Sequence, residues 1–197
     1  MPYVPPTPID FNANRRALVQ AVALATGLPA GQVIALEPET MGAPRPKVPY
    51  VGFLVTAASV KMGFDWLAPM PDDAVSGPTG RHTFSGVRMM SVGFDAYGRS
   101  HEDAYGIMAA FQAALEYPPV ASLLAAAGLA VWDIGSVSDI SATLATTYEG
   151  RAHLDVTFGM TAQTTIDLGR IDTVPVSGQV ASDGNATLNV PTFNVTR

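Results

Sequence analysis

The sequence predicts an α+β fold: a mostly antiparallel β-sheet with two main helices packed on one face, an extended N-terminal arm and a C-terminal β-hairpin. Three observations carry this prediction. The stretch from Tyr148 to Asp167 alternates strictly, with Ala152, Leu154, Val156, Phe158, Met160 and Ala162 on one side. Arg151, His153, Asp155, Thr157, Gly159, Thr161 and Gln163 occupy the other side. Successive strand side chains point to opposite faces, so this is a long half-buried strand. A helical stripe over Ser100–Glu116 supplies a cover for its apolar face. The order of the remaining elements (helix, three strands, helix, short helix, two strands, tail) suits a sheet with its helices on one side.

Residues 1–9 hold four prolines and read as an extended arm. Asp10 or Asn12 can cap a helix over 12–26, in which Leu18, Ala21, Val22 and Ala25 form one stripe. Gly27 suits the position after its last turn, and Pro29 prevents continuation. Val33 to Leu36 reads as a short strand, and Glu37 to Lys47 as a loop. Val48 to Val60 is β-branched and aromatic on both parities, which predicts a strand covered on both faces. Pro49 near its start places it at an edge or a strand onset. Residues 61–82 include Trp66, three prolines and three glycines, and read as a long loop. A loop of that length in a compact domain tends to be functional or ordered by a partner.

Thr83 to Tyr97 returns as a strand with Met90, Val92, Phe94 and Ala96 on one face and Arg88 at the sheet margin. Ser100 and Asp103 form an acidic capping box, with carboxylates in the first turn. The helix behind it aligns Ala104, Ile107, Met108, Phe111, Ala114 and Leu115. Pro118-Pro119 ends this helix and opens a short one that closes at Gly128. Leu129 to Ile134 is a short strand, and 135–147 is less regular and rich in Ser and Thr. Beyond Leu168, short alternating segments surround an Asp183-Gly184 turn, which predicts a hairpin lying on the main sheet or on a neighbouring subunit. The organisation expected is an arm at 1–10, a domain at 11–170 with the loop 61–82 inside it, and a C-terminal hairpin or arm at 171–197.

Composition narrows the function. The 48% hydrophobic content supports a core, and the 14% charged content is low for a monomer's surface, as if some surface is hidden in an oligomer. A net charge of −6 with scattered basic residues argues against nucleic acid as the main partner. The absence of cysteine excludes disulfides, thiolate nucleophiles and zinc–thiolate sites. Met1-Pro-Tyr-Val-Pro-Pro lacks the features of a signal peptide, and no apolar run is long enough to cross a bilayer. The expectation is a protein made and kept in a cytosol, with Asn185 and Asn194 matching the glycosylation pattern by accident.

The residues show no catalytic signature. His82, His101 and His153 have no partner at metal-ligand spacing, and exposed or hydrogen-bonded histidines are the simpler reading. Asp133 and Asp155 lie on neighbouring predicted strands, where a paired acid/base site is conceivable but solvated strand aspartates are the default. Asp72-Asp73 reads as a solvated turn before a cation site. Gly77 to Gly80 lacks the lysine and helix of a phosphate loop, and Ser85-Gly86 is no nucleophile elbow. Met89-Met90, Met108 and Phe111 read as core. The expectation is no catalytic, cofactor-binding or metal residue, no cofactor, and no enzyme.

Leu28-Pro-Ala-Gly-Gln-Val-Ile-Ala follows the first helix, and Val120-Ala-Ser-Leu-Leu-Ala-Ala-Ala-Gly-Leu follows the helix ending Ala113-Ala-Leu-Glu. Val137-Ser-Asp-Ile-Ser and Tyr148-Glu-Gly-Arg-Ala-His-Leu-Asp-Val come next. In order and spacing, over roughly 12–175, this pattern resembles the neck and tail terminator proteins of tailed bacteriophages and prophages. The resemblance implies a structural virion protein, assembled in the host bacterial cytoplasm, that forms a hexameric ring. Such a ring caps the tail tube and joins it to the head connector. Implied partners are copies of the chain, the tail tube protein, the head–tail connector or neck protein, and the tail sheath as a further candidate. DNA only passes through the lumen, and no membrane is involved. The nearest alternatives are a tail-completion or connector protein; a β-rich binding module using the loop 61–82 and a small hydrolase using Asp133, Asp155 and His153 stand further off.

Overall fold

A computed structural model describes residues 9–36, 44–67, 81–144, 147–167, 179–181 and 187–189. The expected N-terminal arm up to Pro8, Asp72-Asp73, Gly77 to Gly80 and most of the tail after Asp167 lie outside the described residues.

The chain begins with α1 (Phe11–Thr26), a single 3-10 turn (Ala30–Gln32) and β1 (Val33–Ala35). Asp10 caps α1 by accepting the Ala13 amide at 2.9 Å, and Gly27 ends it at φ 72°, a conformation that suits glycine. Two long strands follow, β2 (Tyr50–Leu67) and β3 (Arg81–Gly98), then α2 (His101–Ala114) and α3 (Pro118–Ala126). The Ser100 hydroxyl accepts the Asp103 amide at 3.2 Å, while the Asp103 carboxylate accepts the Arg99 amide at 3.1 Å. This is the expected capping box, with its return bond one residue early. The short strands β4 (Ala130–Ile134), β5 (Ser138–Asp139) and β6 (Ala142–Leu144) lead into β7 (Thr147–Asp167). A separate pair, β8 (Gln179–Ala181) and β9 (Thr187–Asn189), is antiparallel across the Asp183-Gly184 segment.

The main sheet runs β1-β2-β3-β7-β4, with β5 and β6 also on β7. Only β1 to β2 is parallel; the other pairings of this sheet are antiparallel. The fold is therefore α+β with a mostly antiparallel sheet. Val92 faces Val156, Phe94 faces Leu154 and Ala96 faces Ala152 across β3 and β7, so both strands turn their apolar parity the same way. Helix α2 lies on these two strands, and α1 packs across α2, α3 and β1. Phe53, Phe94, Phe111 and Phe158 fill the layer between sheet and helices, with Phe94 and Phe111 edge-to-face at 4.8 Å between centroids. Asn14 is the buried polar residue of α1, and its amide donates to the Met160 sulfur at 3.9 Å.

The structure corrects two expectations about β2. The loop expected at 61–82 is overturned at both ends, because β2 continues to Leu67 and β3 begins at Arg81; residues 68–80 lie outside the described residues. Gly63 reads as a breaker in the sequence, but at φ 72° it sits within a register shift between Met62 and Trp66, where β2 carries extra residues against β3. A bulge uses such a residue without ending the strand. Cover on both faces is confined to the start of β2: Tyr50, Val51, Gly52 and Phe53 are buried, and from Leu54 to Trp66 every residue is half-buried or exposed. The less regular stretch before β7 holds two short strands, β5 and β6, which pair with it.

Candidate functional site

The helices cover only half of the long strands. Burial ends at Phe53 in β2, becomes intermittent before Met90 in β3, and stops at Met160 in β7. The distal parts of β2, β3 and β7 continue as a three-stranded arm without a helix over them. Val60 lies opposite Met89, Met62 opposite Val87 and Trp66 opposite Ser85. These residues share the sheet face turned away from the helices, as the parity of β3 dictates. Val60, Met62 and Trp66 are exposed, and Phe64 is 92% exposed.

The arm is clamped by charge on its other parity. Asp65, within the bulged segment, accepts Arg88 at 2.8 Å and 3.2 Å from its two guanidinium ends and Lys61 at 3.1 Å. The hydrogen bond from Arg88, followed by that from Lys61, lowers the Asp65 pKa to about 2. Gly86 leaves the space this clamp occupies, since a side chain there would collide with Asp65 and Arg88. Arg88 is thus not a residue emerging at the sheet margin; it ties β3 to β2.

The helix-free face of the covered half carries a polar cluster. Asp95 of β3 is the register partner of His153 of β7, and its carboxylate meets His153 Nδ1 at 2.8 Å and Arg151 at 2.9 Å. His153 Nε2 lies 3.2 Å from Asp155. Burial lowers the His153 pKa, but hydrogen bonds to Asp95 and then Asp155 outweigh it, and the net shift is upward. Arg151 also stands over the Tyr97 ring at 5.0 Å, and Tyr97 stacks on Tyr50 with 4.4 Å between centroids. Burial, the largest influence, raises the pKa of both tyrosines.

Of the candidate polar residues, the structure brings His153 and Asp155 together but not Asp133, whose register partner is Thr157. Asp95 and Arg151, which complete the cluster, escape sequence reading because the β3–β7 register that joins them spans more than fifty residues of chain. His101 is exposed in the first turn of α2, and Met90 is core. Each ionic group of the cluster is paired within the sheet, which suits a structural brace. Among the described residues, no group of three His, Cys, Asp or Glu side chains is placed to hold a metal, and no helix is long and apolar enough to cross a membrane.

A cleft lies at the β4 edge of the sheet, between α3 and β4. It is an open groove of about 600 Å³, lined by residues that include Leu124, Leu129, Val131 and Trp132, with Glu116 and Asp133 as its charged groups. The Trp132 ring covers Gly159, where any side chain would collide with it.

The chain is thus an α+β platform with an uncovered apolar arm, an internally braced polar face and a cleft beside β4. The chain belongs to the phage neck terminator protein family, whose sequence model matches residues 12–184. Comparison with curated proteins finds no match.

Proposed function

We propose that this chain is the ring subunit of a phage neck, in a hexameric ring that sits on the last ring of the tail tube, stops tube growth and joins the tail to the head connector. The observation that carries this reading is the family match over residues 12–184, which takes in the whole helix-covered sheet and its arm. The uncovered arm supports it, because a long apolar strand surface is costly in water and is resolved by contact with a neighbour. In this reading the partners are other copies of the chain, the tail tube protein and the connector. The ring is a virion component assembled in the host cytoplasm, and DNA only passes through its lumen. The net charge of −6 favours such passage, since like charges repel the phosphate backbone.

The test is electron microscopy of particles made without this chain. Tubes of uncontrolled length, or normal tails that fail to join heads, are the expected result. Tails of normal length attached to heads would overturn the proposal.

A further inference from the structure

We infer that successive copies join head to tail, with the Phe64–Trp66 segment of one copy's arm seated in the α3–β4 cleft of the next. This rests on the ring reading above and supplies the contact that builds it.

The arm offers what an interface anchor needs. Val60, Met62, Phe64 and Trp66 are exposed within seven residues of one strand, and Phe64 has 92% of its surface free. Aromatic residues and methionine are enriched at interface cores, and buried aromatics dominate binding energy. The cleft offers the complement. Its volume of about 600 Å³ falls within the roughly 300–1,000 Å³ of pockets that bury a ligand-sized group, and the residues lining it are mainly aliphatic.

Charge points the same way. On the other parity of the same arm, Lys61 and Arg88 share the single carboxylate of Asp65, so the described side chains of this clamp leave a net positive charge beside the apolar row. The charged groups lining the cleft, Glu116 and Asp133, are both acidic. Position decides the symmetry. The Phe64–Trp66 segment lies on β2, the outer strand of the arm, and the cleft borders β4, at the other edge beyond β7. Two different patches on opposite edges make a heterologous contact, and each copy can use both at once. Repetition of such a contact closes into a ring when the rotation between copies allows it.

The chain has no cysteine of its own, so two introduced thiols report on this contact without background. Particles are assembled from a mixture of F64C chains and A125C chains; Ala125 is an exposed residue lining the cleft. After oxidation, a disulfide between the position-64 thiol of one chain and the position-125 thiol of another is the expected product. A ring visible at the neck without that link, or with links between two F64C chains, overturns the contact and leaves the ring reading standing. No ring at the neck in unsubstituted particles overturns both. Phe64→Glu gives a second readout. Since Phe64 packs on little within its own copy, the variant should keep its circular dichroism and melting temperature while its incorporation falls about thirtyfold, as for an interface anchor. Unchanged incorporation overturns the contact.

Discussion

Gly98 and Gly150 are register partners on β3 and β7, and the backbone at the start of α2 rests on both of them. A Cβ on Gly150 would collide with the Ser100 carbonyl, and one on Gly98 would lie 2.5 Å from the Ala104 amide nitrogen. The two bare positions let the helix approach the sheet closely enough for Met108 and Phe111 to reach the core. Replacing Gly150 with alanine should cost about 1–3 kcal/mol, because backbone must move to admit the methyl group. Gly106 is the control: it lies within α2, and a methyl group added there would meet nothing within 4 Å. Gly106→Ala should stabilise by about 0.5–1 kcal/mol through helix propensity. Denaturant unfolding of the two variants checks the opposite signs.

The Phe94–Phe111 contact joins sheet to helix at the centre of the core. Phe111→Ala removes a fully buried ring and should destabilise by about 3–5 kcal/mol, read from thermal or denaturant unfolding. A loss below about 1 kcal/mol would mean that α2 does not pack where the structure puts it.

The Asp65 clamp predicts a titration. Its folded pKa of about 2 lies below the ordinary 3.8, so the clamp contributes fully above pH 3.8 and is lost as pH falls through 2. Arg88→Met removes the larger cause and should bring the Asp65 midpoint up toward the ordinary value. Carboxyl-detected NMR titration of both chains measures this directly.

The Asp95–His153 pair has the opposite sign. The folded pKa of His153 lies above 6.5, so the pair's contribution is complete below pH 6.5 and is lost as pH rises through the folded value. In Asp95→Asn, burial is opposed by less, and the His153 midpoint should fall. Histidine NMR shifts against pH report it, and an unchanged midpoint would show that Asp95 does not hold the ring.

Legibility follows the range of the interactions. The α1 and α2 caps, the Pro118 start of α3 and the alternation of β7 are set within a few residues, and local pattern places them to within two residues. The continuation of β2 past Val60 escapes that reading although Val60, Met62, Phe64 and Trp66 keep a period of two. Gly63 looks like punctuation, and the residue that keeps the strand paired, Arg88, lies on another element. Among the polar candidates, His153 and Asp155 are two apart on one strand, so the sequence groups them. Asp95 and Arg151 depend on a register between distant segments, which no local pattern encodes.

Strand β7 is the last of the main sheet to be synthesised, yet it pairs along the whole length of β3. The edge of β3 that it occupies stays bare while α2, α3 and β4 to β6 are made, so during translation the nascent chain presents a long open strand flank to its surroundings. Contacts of such high sequence separation form slowly, and an unpaired flank invites pairing with other chains. Docking of β7 completes the sheet and buries its last apolar row, so the slower that late event is, the longer the open flank stays available to other chains.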